Sequence, residues 1–482
     1  MPIALQNPTP LCAPLLRAAI KFLLCVFAVA TLPAVLRAQD RRHVTRPVYP
    51  PVCVTLPAAL TSTLHSKTIP PSDETRPDTL RIQRAIDSCP AGHAVELAPD
   101  GSRNSFLSGP LDLRSGVTLL IARGAILFAS RNPRDYDRSP GSCGVVNRHG
   151  HGCKALINLD RAANAGVMGQ GVIDGRGWAN LLGQKVSWWG LAQQAKYEKL
   201  NQNCPRLIQA FDSDNFTLYR IELKNSPNFH VFYSGGDGFT AWGVVIDTPK
   251  TARNTDGIDP SSASGVTITH CFIHDGDDDV SIKAGSAGPS SHITVSDNHF
   301  YTGHGMSIGS DTNGGVSHVR VSGLTIDGAD NGIRIKSNIS RGGLVRDVVY
   351  RDVCIRDTRN PILMDTHYPF YGKARDLFPD FRDITLSGVR IIGPGKITLD
   401  GYSSQLPLRI HFDNVTLADP FAVKIFARNA RITLGPGPVN FRPSGPDVQI
   451  LGKPANAHPT SCSFKFLPFP KRMTNKHQLK RS

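Results

Sequence analysis

Four short stretches of this 482-residue chain concentrate the residue types that move protons and bind anions. "NTDGIDP" carries Asn254, Asp256 and Asp259, "HDGDDDVSIKAG" carries Asp277, Asp278 and Asp279 in a row, "TGHGMSIGS" carries His304, and "NGIRIKSN" carries Arg334 and Lys336. Taken singly, each has an ordinary explanation. Asp and Asn side chains cap turns, a run of aspartates makes a solvated turn, and Arg and Lys dress the wet face of many strands. Taken together, they suit cleavage of a glycosidic bond beside a negatively charged sugar. One carboxyl donates a proton to the leaving oxygen while another, ionised, activates water or attacks. Crowded carboxylates cannot all ionise cheaply, so at least one is pushed toward its protonated form. Arg334 can grip a sugar carboxylate with two hydrogen bonds, and Lys336 adds a point charge.

That chemistry requires the four stretches to meet. Asp256 and Asp277 are 21 residues apart, Asp278 and His304 are 26, and His304 and Arg334 are 30. Short β-rich segments recur with a similar period. Phe216, Phe239, Val266, Ile293, Val319 and Val348 begin successive segments at steps of 23, 27, 27, 26 and 29 residues. Each segment alternates apolar and polar positions, breaks at a polar residue or glycine, and resumes as a second short strand. A near-constant period of this size marks a solenoid. A β-sandwich, the competing all-β arrangement, does not require it. The predicted fold is therefore all-β: a single-domain right-handed parallel β-helix, in which Val280 and Ile282 point inward. Its coils lie about 4.8 Å apart, so residues at one phase of the repeat form a strip. The apolar set Ile82, Ala85, Ile86 and Cys89 predicts a helix over 78–89, with Asp78 or the Ser72–Asp73 pair as its N-cap. This helix would cover the open N-terminal end of the stack.

In this order and spacing, "NTDGIDP", "GDD", "GHG" and "RIK" resemble the signature set of the polygalacturonase family, glycoside hydrolase family 28. "GPLDLRSGVTLLIARGAIL…NPRDYD" and "LKNSPNFHV" are similar to that family's N-terminal and central coils. The resemblance implies hydrolysis of α-1,4-galacturonan with inversion and without a metal or other cofactor. It implies Asp277 as general acid, and Asp256 and Asp278 as the pair that positions and deprotonates water. His304 would hold the acid's protonation state or contact the sugar. Arg334 and Lys336 would bind the galacturonate carboxylate, with Asn254 and Tyr368 of "DTHYPFYG" as further substrate contacts. Asp279 departs from the family, in which a neutral residue is usual. Rival readings are a rhamnogalacturonan or xylogalacturonan hydrolase, a calcium-dependent pectate lyase and a non-catalytic carbohydrate-binding β-helix.

The bulk numbers fit this picture. A content of 40% hydrophobic and 19% charged residues is that of a globular chain, and 44 glycines with 36 prolines supply many turns. A net charge of +15 suits a polyanionic partner: nucleic acid, a membrane surface or an acidic polysaccharide. With the site above, the expected partner is acidic polysaccharide (homogalacturonan or pectin) and not nucleic acid. Residues 1–38 read as an export signal, in which Arg17 and Lys21 precede the apolar run "FLLCVFAVATLPAVL" and Ala38 precedes the cut. The run is short for a membrane span. The expectation is a secreted monomer, extracellular or periplasmic, without stable membrane association after cleavage. Beyond the signal lie an N-terminal extension (39–52), a catalytic β-helix (53–450) and a basic tail (451–482). Six basic residues between Lys465 and Ser482 mark the end of that tail as flexible. Of eight cysteines beyond the signal, Cys143 and Cys153 are the best disulfide pair. His149 and His151 between them leave zinc as an alternative. Trp178, Trp188 and Trp189 are either a sugar-stacking platform or loop packing, and Asn225 and His230 are subsite candidates. The insert at 174–205 is long enough to wall off one end of a cleft, so endo and exo attack both stay open.

Overall fold

The computed structural model describes residues 39–62, 68–370, 373–455 and 461–470. The expected export signal and the last twelve basic-rich positions lie outside these residues. Each coil contributes one strand to a parallel sheet of eleven. In chain order these are β1 (Leu111–Asp112), β2 (Ile157–Asp160), β3 (Ile208–Phe211), β4 (Val231–Ser234), β5 (Ile258–Ser261), β6 (Val280–Ile282), β7 (Met306–Ile308), β8 (Asn331–Lys336), β9 (Asn360–Asp365), β10 (Gly395–Asp400) and β11 (Val423–Arg428). A second hydrogen-bonded system of twenty strands wraps the remaining sides. The result is the all-β parallel β-helix that the period predicts, wound right-handed as crossovers between parallel strands are.

Alternation along each strand sets which residues face in. Ile258, Val280, Met306, Ile333, Ile362, Ile397 and Ile425 stand in register down β5 to β11. All but Ile425 are fully buried. Each such side chain contributes about 1.5–3 kcal/mol by leaving water. The wrapped sheet repeats the pattern. Phe239, Val266, Ile293, Val319 and Val348 pair in successive coils. Phe216 stacks on Phe239 at 5.5 Å between centroids. The phase marks legible in the sequence are thus one column of the core.

The polar breaks in each segment are corners. Asp297, Gly323, Asp352, Gly388 and Asn414 all take φ between +52° and +67°. They occupy the unpaired positions in the ladders joining Ser290–Phe300, Val316–Asp327, Leu344–Arg356, Asp380–Ile392 and Leu408–Leu417. Left-handed residues at these corners turn the chain without ending its hydrogen bonding. Asp, Asn and Gly recur there because they tolerate that conformation best.

The predicted capping helix forms as α1 (Thr79–Ser88) and buries Ile82, Ala85 and Ile86. Asp78 occupies its N-cap position but makes no side-chain cap bond, and the Ser72–Asp73 pair makes none either. The Asp78 carboxylate instead accepts from Arg81 and from the Leu107 backbone N–H, tying the helix to the first coils. Three disulfides form: Cys53–Cys89, Cys143–Cys153 and Cys354–Cys462. Cys143 and Cys153 are thereby removed as zinc ligands. Cys204 and Cys271 are buried free thiols.

The basic tail differs from its expectation over 461–470. Cys354–Cys462 anchors this segment, the Phe464 ring stacks on His299 at 4.9 Å, and Tyr301 Oη donates to the Leu467 carbonyl at 3.0 Å. Phe469 packs edge-on against Tyr301 and beside His274. Aromatic spacing in "SFKFLPFP" makes this part a strap; its few charges hide that in a composition count. The extension before the first strand is pinned as well. Asp40 accepts from Thr267 Oγ1, its N–H donates to Thr294 Oγ1, and Arg46 donates to Tyr219 Oη.

Candidate active site

The turn Asp275–Asp279 enters β6 with its side chains divided between two environments. Asp275 and Asp279 point into the fold and are fully buried. Thr302 Oγ1 donates to the Asp275 carbonyl, and the Gly305 N–H donates to Asp279 Oδ2. Asp277 and Asp278 face the outer side of the eleven-stranded sheet. One coil on, Gly303 and Gly305 flank His304 with φ of +97° and +72°. A Cβ on Gly303 would lie 2.4 Å from Asp275 Oδ1, and one on Gly305 would lie 2.2 Å from the Asn331 carbonyl. Only glycine lets the two turns nest, and the nesting delivers the imidazole. His304 Nδ1 lies 3.0 Å from Asp277 Oδ1.

Asp278 accepts four hydrogen bonds. Arg334 Nη1 and Ser307 Oγ reach Oδ1 at 2.8 Å each, while Lys336 Nζ and Ser281 Oγ reach Oδ2 at 2.8 and 3.0 Å. Ser281, Ser307 and Arg334 are directly paired in β6, β7 and β8, so the register itself builds this cradle. Asp256 lies just ahead of β5. Lys283 Nζ donates to its Oδ2 at 3.2 Å and to Asp259 Oδ2 at 2.5 Å. Asp256 Oδ1 has no protein partner. Asn254 Nδ2 stands 3.5 Å from Asp277 Oδ2. The Tyr368 ring lies under both cations, 5.5 Å from Arg334 Cζ and 5.4 Å from Lys336 Nζ. The eight residues expected to act on or bind the substrate, Asn254, Asp256, Asp277, Asp278, His304, Arg334, Lys336 and Tyr368, therefore meet on one face.

The electrostatics separate the carboxyls. Burial pushes Asp278 up, but Lys336 and Arg334 overcome it and hold the group far below the usual carboxylate range. Burial also pushes Asp277 up, and the hydrogen bond and charge of His304 bring it below its ordinary value. Burial lowers His304, and its bond to Asp277 more than reverses this, so the imidazole titrates above its ordinary value. Asp256 moves the other way. Burial and the charges of Asp259 and Asp277 raise it well above the ordinary value against the pull of Lys283. Asp259 is raised to about 6 by burial. Asp275 and Asp279 are raised by burial first, then, for Asp275, by Asp279 itself. Repulsion among the acids thus falls on Asp256, Asp259, Asp275 and Asp279, while Asp277 and His304 each favour the other's charged form.

This constellation sits in a chain that matches the model of glycosyl hydrolases family 28 over residues 106–419. The chain is 45% identical over 381 residues to the endo-polygalacturonase of Pectobacterium carotovorum subsp. carotovorum, covering 79% of this chain and 90% of that one. It is 39% identical to a polygalacturonase of Ralstonia nicotianae, covering 86% and 90% of the two chains. The structure superposes on the polygalacturonase from Erwinia carotovora ssp. carotovora with a TM-score of 0.75 at 43% identity, covering 82% of this chain and all of that one. The chain belongs to glycosyl hydrolases family 28.

In this family 28 hydrolase a cavity of about 620 Å³ opens beside Asn254. Arg138, His149, His151, Arg206 and Arg253 line it, and no carboxylate does. Arg206 lies over the Phe232 ring at 3.9 Å and bonds Gln209. The Cys143–Cys153 disulfide closes the loop that presents the two histidines. Sequence reasoning missed Lys283, Asp275, Ser281 and Arg206. Alternation marks two of them, since Ser281 and Lys283 must face outward once Val280 and Ile282 face in. Nothing local marks Arg206 or Asp275. The other sequence candidates lie elsewhere. Trp188 is fully buried on α2 (Trp188–Glu198), Trp189 Nε1 donates to the Ser226 carbonyl, and Trp178 does not line the cavity. His230 is buried, with Nδ1 at the Asp256 carbonyl and Nε2 at Thr248; burial lowers it to about 4. Asn225 bonds Asp174.

Proposed function

We propose that this chain is a polygalacturonase that cleaves α-1,4-galacturonosyl linkages of pectin with inversion, by general acid–base catalysis. The observation that carries the reading is the convergence of Asp278, its two cations and the Asp277–His304 pair on one face. Asp277 protonates the leaving oxygen. Its partner His304 lies 3.0 Å away. Asp256 and Asp278 position and deprotonate the attacking water. A galacturonate carboxylate competes with Asp278 for Arg334 and Lys336. As the cations turn toward the sugar, Asp278 regains basicity at the moment a base is needed. Tyr368 and Asn254 complete the contacts to the sugar beside these groups. The names of the relatives support the activity. Asp277, Asp278 and His304 also have ligand atoms close enough to hold a metal ion, but Arg334 and Lys336 already supply the positive charge there.

The decisive experiment measures reducing ends released from polygalacturonate in a chelator, while ultraviolet absorbance reports any unsaturated product. Hydrolysis without such absorbance, and inversion seen by proton resonance of the first product, are expected. Asp277→Asn should lower kcat by at least about 100-fold, the low end for a lost general acid, while KM stays near its original value. Turnover that survives this change would remove Asp277 from the acid's role. Secretion as a monomer belongs to the same reading. Three disulfides support an oxidising compartment, and no helix among the described residues is long and apolar enough to cross a membrane.

A further inference from the structure

The cavity of about 620 Å³ beside Asn254 takes no part in the acid–base steps. Gln209 and Phe211 of β3 and Phe232 and Ser234 of β4 face it. It therefore lies across the catalytic carboxyls from Arg334 and Lys336 on β8. Loop 143–153 walls it on the outside. The Cys143–Cys153 disulfide closes that loop, the Gly152 N–H donates to Asn203 Oδ1 at 2.8 Å, and Val146 and Asn147 pair with Gln202 and Asn201. So anchored, the loop holds His151 over the cavity. On the sheet side Arg206 is half-buried, its guanidinium 3.9 Å from the Phe232 ring centroid and 5.0 Å from that of Phe229. Burial and then the charges of Arg206 and Arg138 lower the His151 imidazole, so both guanidiniums act on it.

These cations lack counter-charge. Arg138 donates to the Cys153 carbonyl, Arg206 to Gln209 Oε1, and Arg253 to the Ala192 carbonyl and Gln202 Oε1, all neutral oxygens. The carboxylates that act on Arg206, Asp259 and Asp256, are bonded to Lys283, and burial outweighs them and lowers Arg206 to about 10. Cations withdrawn from water normally end on a carboxylate, and here none lines the cavity. An anionic ligand completes it, and a guanidinium grips a carboxylate with two hydrogen bonds. The volume falls within the roughly 300–1,000 Å³ of small-ligand sites, room for a disaccharide. Asn254, which stands 3.5 Å from Asp277 Oδ2, also lines the cavity, so the polymer at the catalytic carboxyls runs on into it. Coils repeat at about 4.8 Å, close to the length of one pyranose unit, so β3 and β4 offer places for two sugars beyond the one over β5. We propose that this cavity binds the carboxylates of the second and third galacturonates from the cut, on the side away from Arg334, with Arg206 and His151 as its specificity-determining residues. This rests on the galacturonan-hydrolase reading.

Turnover of long, fully de-esterified polygalacturonate by the wild-type enzyme, measured first, checks the hydrolase reading by itself. A ladder of end-labelled galacturonate oligomers then maps which bond is cut. In the wild type, kcat/KM should climb with each sugar that enters the cavity. Arg206→Gln and His151→Gln should each raise KM on the longer oligomers about two- to fivefold, the range of one partly solvated charge interaction, and should raise KM more than they lower kcat. Both should also move the preferred cut toward the cavity-side end. His151 is exposed on its loop, so its variant decides the matter if Arg206→Gln lowers the Tm. A cleavage pattern identical to the wild type in His151→Gln overturns the proposal. An equal rise of KM on oligomers too short to reach the cavity marks a structural effect and overturns the assignment of that residue. On partially methyl-esterified galacturonan, mass spectrometry of wild-type products should find esters excluded from the second and third sugars on one side of the cut, and both variants should readmit them. Esters at those places in wild-type products would overturn the proposal as well.

Discussion

Asp278 stands ionised where burial alone would neutralise it, because two serine hydroxyls and two cations converge on its oxygens. Asp277 and His304 solve a different problem, since each favours the other's charged form. The working form is the singly protonated couple, so activity should fall as pH rises through the raised value of His304, above the ordinary imidazole value of about 6.5. His304→Gln leaves that proton only a carboxylate, so the alkaline limb of the kcat profile should move to lower pH. A limb that stays in place would separate His304 from the acid. Stability depends on the same groups. Asp278 is depressed, so its contribution is present above the unfolded carboxyl value, about 3.9, and fades as pH falls. Asp256, Asp275 and Asp279 are raised, and Asp259 to about 6; their contributions are complete below the unfolded value and fade as pH rises through the folded one. The Tm should therefore peak in mild acid, between about pH 4 and 6, and decline toward neutrality. A Tm that climbs steadily to pH 8 would contradict these assignments.

At the scale of the element, a turn delivers each catalytic group and a strand only keeps it in phase. Gly303 is one of these tight joints, with its would-be Cβ 2.4 Å from Asp275 Oδ1 and 2.5 Å from the Asp277 carbonyl. Gly303→Ala should cost about 1–3 kcal/mol, as other forced left-handed residues do. It should also lower kcat more than KM, because relief of the clash moves Asp277 from His304; urea melts and steady-state kinetics together check both. The sequence reached this level unevenly. "GHG" and "GDD" were legible as a pair, because side chains one period apart become neighbours in any coil. That Asp279 turns inward to receive the Gly305 N–H was not legible, because three adjacent aspartates look alike until the turn's dihedrals assign their directions.

For the whole molecule, both chain ends are used. The segment 461–470 lies behind the strands that lead into the catalytic turns, touching His274 and Tyr301 just before Asp275 and Thr302. Cys354–Cys462 closes a sequence separation of 108 residues, and replacing Cys462 with Ser should lower stability by about 2–4 kcal/mol. Differential scanning calorimetry should show this as a lower Tm, and equal Tm values would mean the aromatic contacts hold the strap alone.

The sequence alone determined the coil, its inward column and which polar residues would lie together on the outer face. A solenoid makes neighbours of residues one period apart, and so converts spacing directly into proximity. The tertiary structure alone decided which carboxyl is charged, since that depends on burial and on partners such as Lys283 and Ser307 that carry no signature. It also decided that an aromatic tail becomes a strap. Which residues follow Arg334 and Lys336 along the outer face likewise emerged only in three dimensions, because coils of 27 to 35 residues between Met306 and Ile397 vary too much in length for their outward rows to be aligned without the hydrogen-bond register itself.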